Sequence, residues 1–300
     1  MKVFMTGGTG FVGSYLSKEL AQRGQQISIL TRREKPPAPP VPGISYLTGD
    51  CTQEGPWMRA VPEHDWIINL AGASIFGRWT KEYKREIFDS RIRTIRNLVI
   101  ALAGGDQRQL FCSTSAVGYY GPRGDEILTE DSPPDSNFLA KLSEEWEAEA
   151  LKAQELGIRV VITRFGIVLG RGGGALGQLA PMFKRFLGGN LGSGQQWFSW
   201  IHQADLARAY PFLLEHPEIH GPVNFTAPSP VRNRELTRAL GRVLHRPTLL
   251  PAPAFMMRLV LGEMAEALLT GQRVIPKKLI DAGFKFNFPT IDAALRDLLG

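Results

Sequence analysis

Lys2-Val3-Phe4-Met5-Thr6-Gly7-Gly8-Thr9-Gly10-Phe11-Val12-Gly13 decides the fold of this 300-residue chain. Val3-Phe4-Met5 reads as a short buried strand, and Phe11, Val12, Tyr15, Leu16 and Leu20 recur at helical spacing on one face. Strand, glycine turn and helix in that order form a phosphate-binding device. Gly7 permits the tight turn, Gly10 lets backbone N–H groups approach a pyrophosphate, and Gly13 allows close helix–strand packing. The helix N-terminus adds free N–H donors and a partial positive charge. A glycine triplet by itself is also common in turns that are merely steric. Here a second strand, Ile27-Ser28-Ile29-Leu30, follows at crossover distance, so the spacing predicts a dinucleotide site at Gly7, Thr9, Gly10, Phe11, Val12 and Gly13.

Apolar strands then alternate with helical patterns. Strands are expected at 2–6, 26–31, 44–47, 65–70, 109–115 and 158–164, with helices near 11–23, 80–102 and 138–156. That alternation predicts an α/β fold, a Rossmann-type doubly wound parallel sheet covered on both faces. Pro36 to Pro42 reads as a stiff polyproline-like loop. From Gly170 the texture changes to glycine-punctuated short helices, then a strand at Val223-Asn224-Phe225 and a helix around 232–244. We expect a dinucleotide-binding domain over 1–170, with 201–226 returning to it. Residues 171–200 and 227–300 would form a small C-terminal substrate lobe over the carboxyl edge of the sheet, where such folds bind ligands.

Composition narrows the function classes. The 35 basic and 29 acidic residues leave +6, spread along the chain without a polybasic block, which argues against nucleic acid. No apolar stretch is long enough to span a bilayer, and no segment of signal-peptide length precedes the glycine turn. Two cysteines, Cys51 and Cys112, make no disulfide framework, and Cys112 reads as a buried small residue. A cytoplasmic setting is the expectation, with an organellar matrix as the alternative if a presequence has been trimmed. The five histidines are scattered, so no metal site is expected.

The second strand ends Leu30-Thr31-Arg32-Arg33, where an NAD-selective site would place an acidic residue against the ribose hydroxyls. Guanidinium groups suit a 2′-phosphate instead, so Thr31, Arg32 and Arg33 favour NADP(H) over NAD(H). The competing reading is two solvated surface arginines. Leu70, Ala71 and Gly72, after the fourth strand, are small enough at the backbone to let a cofactor lie close, or else make only a tight turn.

Several motifs together carry a family resemblance: Thr6 to Gly13, Asn69 to Gly72, Arg78-Trp79, Ser90-Arg91 and Ser113 to Gly121. It continues through Phe138-Leu139, Trp146-Glu147, Arg164 to Gly170, Gly172 to Gly174, Trp200-Ile201-His202, Asp205-Leu206, Gln272-Arg273-Val274 and Gly283-Phe284. With them the chain resembles the extended short-chain dehydrogenase/reductase superfamily, and within it the atypical nucleoside-diphosphate-sugar epimerase branch, the "epimerase family proteins". The resemblance implies a Ser or Thr that orients substrate, a Tyr that exchanges a proton, and a Lys four residues later that holds the nicotinamide ribose. Ser115 and Lys141 match, but Asn137 stands where the Tyr should be, and an amide cannot exchange a proton near neutral pH.

Tyr119 is therefore the first candidate acid and Tyr120 the second, with Lys141 acting through water a further option. Two substrate contacts of related epimerases are also replaced, by Ile167 and by Phe198. Tyr120, Trp197, Phe198 and Trp200 become candidate walls for a flatter, less charged substrate, unless Trp197 and Trp200 only pack the lobe interface. Arg171 leaves an anion contact open. His202 and Asp205 read as anchors of the helix beginning near Gln203. The expected function is an NADP(H)-dependent oxidoreductase or epimerase with a non-standard proton donor, acting on a small-molecule carbonyl, alcohol or sugar nucleotide. The alternative is a catalytically silent NADP(H)-binding regulatory or sensor protein. A homodimer through sheet-covering helices would accord with the superfamily, though nothing in the spacing demands one.

Overall fold

A computed structural model describes residues 1–34 and 40–300; four residues of the expected polyproline-like loop, 36–39, lie outside the described residues. Among the described residues, seven parallel strands form the central sheet. The first five are β1 (Lys2–Thr6), β2 (Gln26–Thr31), β3 (Ile44–Thr48), β4 (Trp66–Asn69) and β5 (Leu110–Ala116). After the short β6 (Ile127–Leu128) comes β7 (Arg159–Phe165), and beyond β8 (Ile167–Leu169), β9 (Trp197–Phe198) and β10 (Trp200–His202), β11 (Gly221–Phe225) closes the edge. The order β11-β7-β5-β4-β1-β2-β3 reverses direction between β1 and β4, which opens a crevice at their carboxyl ends.

Strand alternation divides the apolar residues between two cores. Val3 and Met5 join Trp66, Ile68, Val161 and Val223 on the face covered by α1 (Phe11–Gln22) and α5 (Gln203–Glu215). Phe4, one residue between them, points the other way, into Ile67, Phe111 and Ile162 under α2 (Lys81–Leu102) and α3 (Phe138–Leu151). Each such fully buried side chain contributes about 1.5–3 kcal/mol, so both faces must be covered by helices. Cys112 lies in the first core as a free thiol, accepting a hydrogen bond from the Trp66 indole at 3.2 Å, and burial pushes its pKa up to about 12.

The later chain builds a third core. α4 (Gly174–Lys184), β12 (Val231–Arg232) and α6 (Asn233–Leu244) are followed by α7 (Ala254–Leu261) and α8 (Met264–Leu269). β13 (Arg273–Val274), α9 (Lys277–Asp281) and α10 (Ile291–Leu299) end the chain; of these last elements α10 enters the third core, whereas Leu279 of α9 returns to the first. Leu176, Phe183, Trp200, Leu236, Leu240 and Leu295 pack together there. Two- and three-residue strand pairs, β8 with β10, β9 with β12 and β6 with β13, stitch this region to the sheet. They are too short to carry a periodic signal. The 3₁₀ helix Pro56–Glu63 was likewise not anticipated.

Candidate functional site

The glycine turn is held by backbone sterics. Gly7 has φ +67°, and a Cβ on it would lie 2.7 Å from the Leu70 carbonyl carbon, against the end of β4. A Cβ on Gly13 would overlap the Gly7 carbonyl oxygen and sit 2.6 Å from the Gly8 Cα. Gly10 is the N-cap of α1 and offers no side-chain acceptor, so the first-turn amides of the helix are not capped from within. Thr9, Gly10 and Phe11 also line a cleft of about 590 Å³, together with Ser14, Tyr15, Lys18, Arg171, Gly172 and Gln203. The Phe11 ring lies against Gly170, Gly173 and Gly174.

Around this turn the other expected cofactor residues gather at neighbouring strand ends. Leu30 is paired in register with Thr6, so β2 ends beside the turn. Thr31 is buried and its hydroxyl accepts the Arg33 N–H at 3.2 Å, while Arg32 and Arg33 are exposed and, among the described residues, without a carboxylate partner. Asn69 ends β4 with its amide oxygen receiving the Thr6 hydroxyl at 2.6 Å, which ties the strand ends together across the crevice. Ala73 is clamped through both backbone groups: its N–H donates to Ser90 Oγ at 3.0 Å and its carbonyl accepts Arg91 Nη2 at 3.1 Å. The Arg91 guanidinium presses on Gly72 and lies 4.9 Å from the centre of the Trp146 ring. Burial lowers its pKa to about 10, and its Nε has no partner. Sequence reasoning named Ser90-Arg91 only as part of a resemblance and missed this support.

The end of β5 is organised differently. Ser115 is 1 % exposed, and its hydroxyl donates to Glu147 Oε1 at 2.6 Å. Arg164 reaches the same carboxylate with two parallel bonds, Nε to Oε1 at 2.8 Å and Nη2 to Oε2 at 2.7 Å. Its Nη1 donates to the Tyr120 hydroxyl at 2.8 Å, and that hydroxyl donates to Asn224 Oδ1 at 2.7 Å. Glu130 Oε1 accepts the Asn224 N–H at 3.0 Å and the Lys278 N–H at 3.2 Å, so the network crosses from β5 to the C-terminal lobe. Burial raises the pKa of Glu130 despite these N–H donors. The signal that could have exposed this network was Arg164 itself, a charge inside an apolar strand that demands a buried partner.

Ser115, Tyr119 and Lys141 share no hydrogen bond. Ser115 faces the interior; Lys141 is exposed on the first turn of α3. Tyr119 is half-buried, with the Arg164 guanidinium 3.6 Å from its ring centre. Burial raises the pKa of its phenol, against the opposing pull of Arg164. Asn137 is the N-cap of α3: its Oδ1 accepts the Ala140 N–H at 3.0 Å and its Nδ2 donates to Asp135 at 2.6 Å. Both halves of the amide are thus engaged in holding the helix start.

The candidate substrate walls separate. Tyr120 and Trp200 are fully buried, the first in the network above and the second in the lobe core with its indole donating to Ser229 O at 3.1 Å. Trp197 and Phe198 stay partly exposed on β9. The Trp197 ring lies 4.6 Å from Arg232 and 4.7 Å from Arg273, and its indole donates to Asp125 at 2.8 Å. His202 caps α5 by accepting the Ala204 N–H at 3.1 Å, as its position predicts. Asp205 anchors the C-terminal segment by accepting the N–H groups of Asn287 and Phe288, each at 2.8 Å. Among the described residues no cluster of side chains has metal-ligating geometry, and no helix is long and apolar enough to cross a membrane.

Comparison with known proteins agrees with this architecture. A family model described as "NAD dependent epimerase/dehydratase family" matches residues 3–224, and a domain of unknown function, DUF1731, matches 252–298. The chain is 40% identical over 307 residues to a chloroplastic epimerase family protein, an SDR39U1 homolog of Arabidopsis thaliana, covering 100% of this chain and 87% of that one. It is 38% identical over 302 residues to the epimerase family protein YfhF of Bacillus subtilis, covering 100% and 98%. Among solved structures, human epimerase family protein SDR39U1 with NADPH superposes with a TM-score of 0.87 at 35% identity, covering 100% and 99%. A nucleoside-diphosphate sugar epimerase from Corynebacterium glutamicum gives 0.80 at 32%, covering 100% of this chain and 58% of that one.

Proposed function

The chain belongs to the NAD dependent epimerase/dehydratase family, and from that premise we propose that it is an NADP(H)-dependent oxidoreductase or epimerase of the extended short-chain dehydrogenase type. One observation carries the reading: a turn in which Gly7 and Gly13 have no room for a Cβ lies at the sheet's switch point, beside two exposed arginines. The uncapped first turn of α1 would hold the pyrophosphate, Arg32 and Arg33 the 2′-phosphate, Leu70 to Gly72 the cofactor's flank, and Lys141 the nicotinamide ribose. The human relative, crystallised with NADPH, supports the choice of dinucleotide.

When bound, the cofactor supplies or accepts a hydride at a carbonyl or carbinol carbon. The chain must then give or take a proton at the substrate oxygen. Tyr119 is the group we assign to it. The phenol is protonated at neutral pH with or without the shift; burial makes it a weaker acid, and the Arg164 guanidinium against its ring opposes that effect and favours the phenolate left after donation. Ser115 acts at one remove: it and Arg164 fix Glu147, and Arg164 backs the Tyr119 ring. Trp197 and Phe198 are the remaining aromatic walls for a small-molecule substrate. A cytoplasmic setting belongs to this reading.

The test is oxidation of NADPH, followed by absorbance, against a panel of aldehydes, ketones and nucleotide sugars. Turnover is expected with at least one of them, and Tyr119→Phe should slow it about 100-fold or more while leaving NADPH affinity unchanged. Full turnover by Tyr119→Phe would remove the assigned role. NADPH binding without turnover on any of them would favour the sensor reading instead.

A further inference from the structure

Arg91 is a buried cation that meets only neutral groups. It lies on α2 and is 9 % exposed. Its Nη1 donates to Ile87 O at 3.0 Å and its Nη2 to Ala73 O at 3.1 Å, while the buried Nε donates to nothing. The Trp146 ring, 4.9 Å away, offers the guanidinium a π face. Among the described residues no carboxylate pairs with it, although Arg85, Arg93 and Arg96 of the same helix each have one. Burial lowers its pKa, and the one opposing influence is the Tyr83 phenol.

Taking an unpaired charge out of water destabilises a fold, and replacing a buried ion by an apolar side chain of similar volume is often neutral or stabilising. Arg91 therefore costs the free protein stability, and its counter-charge is to be sought in what the protein binds.

Its place in the fold says which ligand that is. A Cβ on Gly72 would lie 3.0 Å from Arg91 Cζ, and a Cβ on Gly7 would lie 2.8 Å from the Ala71 N. The guanidinium thus sits behind the same short backbone segment that touches the glycine turn, roughly 10 Å from the turn by chain dimensions. At that separation and an effective dielectric of about 20, a unit of opposite charge changes affinity on the order of tenfold.

We propose that Arg91 is the buried counter-charge of the dinucleotide's diphosphate, a positioning residue acting from behind Gly72 and Ala73, in a role that rests on the cofactor assignment already made. Arg32 and Arg33 serve only the 2′-phosphate, whereas the diphosphate is common to NADPH and NADH.

The test compares Arg91→Met and Arg91→Lys with the wild-type full chain at neutral pH, by thermal melts without ligand and by fluorescence titration with each dinucleotide. Arg91→Met removes the unmatched charge at similar volume, so it should melt no lower than wild type. It should bind NADPH and NADH each on the order of tenfold more weakly, with the ratio of the two affinities unchanged. Arg91→Lys keeps the charge but cannot fork to both carbonyls, and should retain wild-type affinity within about threefold. A group that merely holds the fold together gives the opposite pattern, a lower melt for Arg91→Met and equal losses of affinity in both variants. Either of those results, unchanged affinities in Arg91→Met, or a loss confined to NADPH overturns the proposal and leaves the dinucleotide assignment standing. A wild type that binds neither dinucleotide overturns both.

Discussion

The turn after β1 and the end of β5 are two corners of one crevice, and they are built by opposite means. At the turn the decisive groups are backbone: Gly7 and Gly13 are required because nothing larger fits, and the uncapped donors of the first helical turn are main-chain amides. At the end of β5 the decisive groups are side chains contributed by distant segments. Ser115 meets Glu147, Arg164 meets Tyr120, and Tyr120 meets Asn224, across separations of 32, 44 and 104 residues. A site made of backbone tolerates few residue types and announces itself locally. A site made of side-chain partners is visible only after folding.

The contrast can be broken most forcefully at Glu147. Replacing it by Ala leaves the Arg164 guanidinium buried without its carboxylate, which should cost about 3–5 kcal/mol of stability in urea unfolding. NADPH affinity of the folded fraction should change little, because the turn shares none of these contacts. Gly13→Ala should do the converse. The turn must shift to clear the Gly7 carbonyl, costing about 1–3 kcal/mol of stability and at least tenfold in NADPH affinity measured by fluorescence titration. Equal losses of cofactor affinity in both variants would mean that the two corners are one cooperative unit.

A smaller effect is expected from pH. Burial raises the Glu130 pKa above its unfolded value. Its contribution to stability is therefore fully present below the ordinary carboxylate range and lost as pH rises through the folded-state pKa. Glu130→Gln should remove that segment of the stability–pH curve, read from thermal melts on either side of it. An unchanged curve would show that Glu130 titrates normally.

This division also explains what could be read from the chain. The strands expected at 2–6 and 26–31 are observed with those bounds and those at 44–47, 65–70, 109–115 and 158–164 within a residue, because continuous apolar runs between turns mark buried parallel strands; β11 begins two residues before the expected Val223, at Gly221-Pro222, which break that run. Cys112 was legible as a buried thiol for the same reason. Asn137 was read as a missing phenol; its capping role was equally readable, since Asn before a helical run is a preferred N-cap. Trp197 and Trp200 looked alike in sequence, three residues apart, yet one lies between two guanidinium groups and the other fills a core. Trp197 pairs with β12 and Trp200 with β8, through ladders of two and three residues that are too short to leave a periodicity to detect. Arg164 in an apolar strand signals that a buried partner exists, but not that Glu147 and Ser115 are the groups that meet it, because strand alternation gives the face a residue occupies, not the partner it meets there.

The central claim is that a glycine turn and two arginines bind a phosphorylated dinucleotide, and side-by-side titration of the protein with NADPH and NADH tests it most directly. The account predicts tighter binding of NADPH, with the preference reduced about 10- to 100-fold in the Arg32→Ala/Arg33→Ala double variant and NADH affinity unaltered. Binding of neither dinucleotide, or tighter binding of NADH by the unmodified chain, would contradict it.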